Sequence, residues 1–339
     1  MHRFAETRPR LEDYWRSVIL FGRNVATFKF ALGASLLELS DLGMEFVTLE
    51  DLASPFSRHL CEHLKLADRQ GTSPRSRFLD TCRAHNRGEV STDELVTITA
   101  RMGFVNVIDA FHVVGPGPVP VRFYVDERKT KGGIRLTENL ERLRERFQYQ
   151  NLPHEVEARW RLVETAWDLN MPRHALAVDV DEANRILVVH THEHGRRDIT
   201  GCREALNGYQ KGTCFYCSAP ITTDQQGLRP AHVDHFLPHT LKTQGFGRRN
   251  LDGIWNLVLA CVDCNLKKSA RVPALPLLER LHTRNEFLIS SHHPLRETLM
   301  SQTGTTEFER RAYLQQTHAD ATMLLIHQWQ PTLEEEPTW

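Results

Sequence analysis

No stretch of this 339-residue chain approaches the ~20 consecutive apolar residues of a membrane-spanning helix, so no membrane partner is expected. The opening residues, MHRFAETRPRLEDYW, lack the apolar stretch of a secretory signal, and the reading is of a cytoplasmic protein. Net charge is lacking too: 42 Lys and Arg against 43 Asp and Glu leave −1. A protein that grips nucleic acid by charge over its whole surface is thereby excluded, and any such contact must come from a local patch. There are no internal repeats and no low-complexity tracts, which excludes a solenoid. Cysteine is sparse, with seven in all. Cys61, Cys82 and Cys202 are scattered and read as small buried apolar residues. The other four form two C-x-x-C pairs, Cys214/Cys217 and Cys261/Cys264. In a chain with no secretion signal such pairs point to a metal rather than to disulfides.

What is present is ordinary for a globular protein, 40% hydrophobic and 25% charged, and long enough for two or three domains. Apolar residues recur at helical spacing over 11–39, including Trp15, Phe21, Phe28 and Phe30, which read as helix core rather than a base-stacking platform. More helix is expected over 48–66 and after a cap at Ser91 or Thr92. Gly115-Pro-Gly-Pro118 is a breaker and a candidate boundary. Beyond it, strands over 121–125 and 134–136 flank a Lys131-Gly132-Gly133 turn, a ribbon compatible with a winged helix. Helices over 138–149 and 154–169 follow, then a hairpin over 175–192 turning at 182–184. Thr200 is the expected cap of a helix running to Tyr209, and a helix over 307–329 closes the chain before the frayed tail at Glu334, Glu335 and Glu336. The fold class is α+β: a helical targeting or regulatory region over 1–115, a mixed α/β region over 116–200, a module carrying the two C-x-x-C pairs over 201–285 and a helical end over 286–339.

The chemistry concentrates in CFYCSAPITTDQQGLRPAHVDHFLPHTLKTQGFGRRNLDGIWNLVLACVDCNLKKSARVP. Four thiolates suit a tetrahedral, structural Zn²⁺, and 43 residues separate Cys217 from Cys261, so the insert must fold back on itself. Inside lie Asp234-His235 in VDHFLP, Asn256 in NLVL, and Asn265 and Lys268 in CNLKK, with nine residues from Asn256 to Asn265. Over 241–284 eight basic residues face three acidic ones, a local surplus of five. A neutral imidazole can take a proton from water, which suits His235. A hard cation prefers oxygen, which suits Asp234 and Asn265 with Mg²⁺ or Mn²⁺.

This arrangement resembles the HNH, or ββα-metal, endonucleases, over about 211–273. The resemblance implies metal-assisted hydrolysis of phosphodiesters, with DNA the expected substrate and 5′-phosphate and 3′-hydroxyl products. Asp234 and Asn265 would hold the catalytic Mg²⁺ or Mn²⁺, His235 would be the base, and Asn256 would fix the loop that orients it. Lys268, one helical turn from Asn265, would contact phosphate, with Arg248, Arg249, Lys267 and Arg271 as further nucleic-acid contacts. Many members carry histidine where Asn265 stands, and this H-N-N variant favours Mg²⁺ or Mn²⁺ over Zn²⁺ at the catalytic centre. By analogy the chain is similar to effectors of bacterial restriction and antiphage defence, with other subunits of such a system as partners. The alternatives are a zinc-stabilised binding module with a decayed site, or an RNA or homing-type nuclease. His232 and His239 read as polar loop residues beside the motif. His190, His192 and His194 alternate along a strand, as a second metal site or the wet face of an edge strand. Asp179, Asp181 and Asn184 do not have calcium-loop spacing.

Overall fold

The Thr48 hydroxyl accepts a hydrogen bond from the Asp51 amide and the Asp51 carboxylate accepts one from the Thr48 amide, so one short signal ends a strand and starts a helix. The computed structural model describes residues 9–21, 26–71, 76–114, 117–168, 178–181, 186–191, 195–224, 226–244, 246, 249–290 and 295–331. Of 166–168, 178–181, 189–191, 195–200 and 297 only the backbone is described. The chain divides after Asn170 into two units, Pro9–Asn170 and the part from Met171 onward.

The first unit runs α1 (Leu11–Phe21), α2 (Phe28–Asp41), β1 (Phe46–Thr48), α3 (Leu49–Leu64), α4 (Arg77–Asn86), α5 (Thr92–Met102) and α6 (Val107–Ala110). It continues with β2 (Val113–Val114), β3 (Gly117–Pro118), β4 (Tyr124–Glu127), α7 (Arg128–Lys131), β5 (Gly133–Leu136), α8 (Glu138–Arg144) and α9 (Leu152–Asp168). The periodic run over 11–39 is two helices, parted where Ala26 bridges Gly71 and the Thr27 amide donates to Gln70 at 3.0 Å. Ser91 caps α5 through the Glu94 amide. Trp15, Phe30, Phe56, Phe123 and Trp160 are buried in one core, with Trp15 edge-on to Phe123 at 5.1 Å. Each such aromatic contributes about 1.5–3 kcal/mol by burial.

Gly115–Pro118 falls inside this unit, because β2 and β3 pair across it. The expected two-stranded ribbon gains a third strand, giving the order β1-β5-β4. Gly133 permits this: a Cβ there would run into the Val47 carbonyl on β1. Helix, strand, helices and the β4–β5 pair follow one another as the winged-helix expectation requires, but β2 and β3 come before that pair and α7 lies inside it. Three of the four cations at the turn between β4 and β5 are paired, however. Arg128 pairs with Asp126 at 2.7 Å and Asp109 at 2.8 Å, while Lys131 and Arg135 share Glu127 at 3.1 and 3.0 Å. Those three cations are neutralised in place and lend no support to phosphate binding.

α3 and α9 also carry an ionic cluster, with His63 and Glu164 buried and Glu157 half-exposed. The His63 ring stacks on Trp160 at 3.5 Å, with Nδ1 2.7 Å from Glu164 and Nε2 2.9 Å from Glu157. Burial opposes the imidazolium, but the hydrogen bonds and charges of the two carboxylates outweigh it and raise the His63 pKa. Burial likewise pushes Glu157 up, yet His63 and Arg161 draw it down to about 2. A raised histidine stabilises fully below its ordinary 6.5 and loses that contribution as pH rises through its folded value. A depressed Glu157 stabilises above its ordinary 4.5 and loses that as pH falls toward about 2. The first unit is therefore expected to be most stable between those two ordinary values and to weaken as pH rises through the raised His63 value. His63→Gln should flatten the alkaline limb in melts followed by hydrogen exchange at α3 and α9. An unchanged alkaline limb in that variant would remove His63 as its cause.

The second unit opens with β6 (Val178–Asp181), β7 (Ile186–Thr191) and β8 (Gly195–Gly201), an antiparallel sheet in the order β6-β7-β8. Thr200 does not cap a helix: it pairs with Leu187 within β8, and α10 (Cys202–Asn207) starts after Gly201. β8 also makes β7 a central strand, so the row at His190 is not on an edge. His192, His194 and Asn184, and the side chains of His190, Asp179 and Asp181, lie outside the described residues. β9 (His232–His235), β10 (Leu257–Ala260), α11 (Val262–Lys268), β11 (Val272–Pro273), α12 (Leu275–Ser290), α13 (Leu295–Thr303), α14 (Glu307–Leu324) and β12 (Gln328–Trp329) complete it. The closing helix stops at Leu324, short of 329. Gln328–Trp329 instead pair in parallel with Val272–Pro273, and the Trp329 indole packs edge-on against Tyr216 at 5.0 Å. Burying that indole outweighs another turn of solvent-facing helix. The tail at Glu334–Glu336 lies outside the described residues. Among the described residues no helix is long and apolar enough to cross a membrane. The architecture is α+β.

Candidate active site and metal centre

Two C-x-x-C turns meet at the start of this site. In the first, the Cys214 amide donates to Ala219 at 2.8 Å and the Ser218 amide to Cys214 at 3.0 Å, with Ser218 in the left-handed region at φ +63°. The second opens α11, with Cys261 as its N-cap. Phe215 N–H on β10's Leu259 carbonyl, at 2.8 Å, ties the first turn to the strand that leads into the second. Buried Gln210 reinforces the tie, accepting from the Leu259 amide at 2.8 Å and donating to its carbonyl at 2.9 Å. The four sulfurs of Cys214, Cys217, Cys261 and Cys264 all lie within 4.8 Å of one another. Sulfurs about 2.3 Å from one tetrahedral ion stand about 3.8 Å apart. The Cys217 and Cys261 sulfurs are 3.8 Å apart, so the cluster fits a metal ion such as zinc. Arg280 of α12 donates to the Phe215 and Tyr216 carbonyls at 2.6 and 2.8 Å, setting a positive charge beside the thiols.

β9 and β10 pair antiparallel, with His235 opposite Leu257 and Asp234 opposite Val258. Alternation along β9 gives His232 and Asp234 one face and His235 the other. α11 meets the first face. Its Asn265 amide lies 3.3 Å from His232 Nδ1, and Lys268, one turn on, donates to Asp234 Oδ1 at 3.1 Å and to the His235 carbonyl at 2.7 Å. The Tyr216 hydroxyl donates to Asp234 Oδ2 at 2.6 Å. Burial pushes the Asp234 carboxyl up and the Lys268 ammonium down, each against the pull of the other.

His235 faces a different set of groups. Its Nε2 is 3.3 Å from Asp252 Oδ1, and its ring is 5.6 Å from that of His239. Burial, with His239 and Lys242 adding to it and Asp252 opposing it, brings the imidazole down to about 4, so it is neutral at pH 7. Asn256, fully buried, accepts from the Leu237 amide at 2.8 Å and donates to the Leu237 and Leu251 carbonyls at 3.1 and 2.8 Å. Asn256 thus ties the turn after His235 to the segment before it.

For a hard cation the donors suit in kind: one carboxylate and one amide oxygen, with roughly four of six positions left to water and phosphate. The structure puts Asp234 and Asn265 on one face of the hairpin but pairs them with Lys268 and His232. Lys268 departs from its expected role. It is 1% exposed, with its charge 3.0 Å from Asp234, and so is a buried counter-ion rather than a surface phosphate contact. The basic window over 241–284 is likewise consumed within the fold. Lys242 pairs with Asp252, Arg249 pairs with Asp320 at 2.6 Å, and Arg271 donates to the Lys267 and Lys268 carbonyls. Arg284 is fully buried, donating to Leu257 at 2.6 Å. Lys267 remains exposed and, with Arg229 and Arg271, lines a groove of about 830 Å³ beside the cysteines. Arg248 lies outside the described residues. Tyr216, Asp252, Gln210 and Arg280 were not singled out in the sequence. Tyr216 alone carried a local signal, its place inside a C-x-x-C turn.

The buried pair gives a test. Asp234→Ala would strand the Lys268 ammonium, which costs about 3–5 kcal/mol for an ion left unpaired in the interior. The single variant should melt well below wild type. Asp234→Ala with Lys268→Met should recover most of the loss. Equal melting of the single and double variants would show that the two charges are not coupled.

Compared with protein-family models, curated proteins and solved structures, the chain matches none.

Proposed function

We propose that the second unit is a metal-dependent endonuclease of the HNH, ββα-metal type, hydrolysing phosphodiesters in DNA. One observation carries the reading. Asp234 and His235 sit on β9, Asn256 on the turn just before its antiparallel partner β10, and Asn265 on the helix after that strand, with four convergent cysteines between that helix and the preceding C-x-x-C turn. Zinc is the structural ion in this reading, and Mg²⁺ or Mn²⁺ is held by Asp234 and Asn265. When bound, the catalytic ion supplies stabilisation of negative charge on the phosphate and the departing 3′ oxygen. His235 takes a proton from the attacking water, whose oxygen bonds to phosphorus as the bond to the 3′ oxygen breaks. Asn256 holds the turn that aims His235, and Lys268 keeps Asp234 ionised. The first unit supplies targeting or regulation. The setting is an effector of bacterial antiphage defence or restriction, with other subunits as partners, by analogy.

A second reading is favoured by the Lys268 ammonium, which stands against Asp234 where a cation would: a zinc-stabilised binding module with no catalysis. Nicking of supercoiled plasmid with Mg²⁺ or Mn²⁺ decides between them. Nicking that needs the divalent ion and fades on His235→Ala supports the nuclease. No cleavage of DNA or RNA with either ion supports the binding module. With so few exposed cations left among the described residues of the basic window, DNA affinity should fall only shallowly with salt, since the slope scales with the number of phosphates contacted.

A further inference from the structure

We propose that Tyr216 is a positioning residue whose hydroxyl fixes where the Asp234 carboxylate stands relative to the four cysteines. The inference rests on the nuclease reading and adds a residue to that same site. Tyr216 lies between Cys214 and Cys217 in the first C-x-x-C turn, and its side chain is fully buried. The hydroxyl reaches from that turn to β9 and donates to Asp234 Oδ2 at 2.6 Å. That length is in the range of a hydroxyl donating to an ionised carboxylate, one of the stronger kinds of hydrogen bond. Lys268 stands on the same carboxylate, 3.1 Å from Oδ1 and 3.0 Å from Oδ2. The two donors are not equivalent. Lys268 supplies a counter-charge on a flexible four-carbon stem. A phenol has only two side-chain torsions, so once its backbone and ring are held its hydroxyl has one place to be.

Both are held here. Arg280 donates to the Tyr216 carbonyl at 2.8 Å and to the Phe215 carbonyl at 2.6 Å, and the Phe215 amide donates to Leu259 on β10 at 2.8 Å. The ring packs edge-on with Trp329 at 5.0 Å and with Phe215 at 5.2 Å. The turn that carries Tyr216 also supplies two of the four sulfurs that lie within 4.8 Å of one another. One rigid ring therefore runs from the cysteine cluster to Asp234. Without its hydroxyl, Lys268 would still pair the charge of Asp234, but the direction of the carboxylate would no longer be set. In the nuclease reading, a carboxylate ordered beforehand loses less freedom when the divalent ion binds.

The test uses the full chain with Tyr216→Phe, which removes one oxygen and keeps the ring against Trp329. Zinc should stay at one per chain. On supercoiled plasmid with Mn²⁺, kcat should fall about tenfold to hundredfold with KM for DNA within about twofold, the scale of losing a partner that orients a ligating carboxylate. A second readout needs no catalysis. With Co²⁺ in place of zinc at the cysteines, the paramagnetic shift of the Asp234 Cγ carbon reports where that carbon stands relative to the ion. The shift should be single and sharp in wild type and should shrink toward an average in Tyr216→Phe. The shift of the Asp234 amide, set by the pairing of β9 with β10, should not change. An unchanged Cγ shift in Tyr216→Phe, or wild-type kcat in that variant, overturns the proposal. So does a Tyr216→Phe protein that loses its zinc, because the hydroxyl would then support the cysteine turn rather than Asp234. If the wild-type chain cuts neither DNA nor RNA, the nuclease reading falls instead, and the cobalt shift alone decides whether Tyr216 fixes Asp234.

Discussion

His235→Ala is expected to cut DNA two to four orders of magnitude more slowly than wild type, on the usual scale for a positioned base, while keeping its zinc, its fold and much of its DNA affinity. The fold should survive because the strand is held by other groups. Backbone pairing with Leu257 persists, the Phe236 amide still donates to Asn256 at 2.7 Å, and Asp252 keeps its Lys242 partner. Extra Mn²⁺ should not restore the variant, because the side chain removed is not a ligand; added imidazole should restore it in part. Asp234→Ala tests the ion and is a harsher change, since Lys268 loses its counter-charge with it. It should be read together with Lys268→Met, and there Mn²⁺ should help. Plasmid nicking across Mn²⁺ and imidazole titrations, with thermal melts alongside, separates the cases. A His235→Ala protein that cuts at the wild-type rate would overturn the catalytic assignment and put the binding module first.

Removing the metal should have the largest effect on structure. β9 and β10 have four residues each and α11 has seven. A lone hairpin and a helix of under two full turns are marginal in water. Structural zinc at such sites is worth about 10–16 kcal/mol in small domains, more than these elements can replace. Elemental analysis should find one zinc per chain. Chelation, or Cys264→Ser, should strip hydrogen-exchange protection from 232–268 and leave α3 and α9 protected, since their core is their own. Protein with no zinc, or metal-free protein that stays protected over 257–268, would end the structural-metal assignment.

The parts of the site that were legible in the sequence lie close together along the chain. Two C-x-x-C turns, an Asp-His pair and two asparagines nine apart can be read because each piece needs only its neighbours to take shape. The helices were legible for the same reason, through caps such as Ser91 and through apolar spacing. Misread elements were those whose partner lies far away. Thr200 is a good helix cap by residue type, yet strand pairing with Leu187 claims it. Residues 325–329 continue a helical run, yet Val272–Pro273 and Tyr216 draw Trp329 out of it. The ribbon's third strand, Phe46–Thr48, precedes it by more than seventy residues and carries no sign of its destination.

By itself the sequence determined the types of side chain at the candidate site, their order and their spacing, because those are properties of adjacent residues. Charge was a different matter. Counted along the chain, 241–284 is a basic window with five charges to spare. In three dimensions Asp252 takes Lys242, Asp320 takes Arg249, Asp234 takes Lys268, and helix-end carbonyls take Arg271. Coulomb energy depends on distance through space, and Lys268 meets its partner 34 residues upstream at 3.0 Å. Only the tertiary structure could decide which cations are left to meet a phosphate, and which carboxylate stands behind His235.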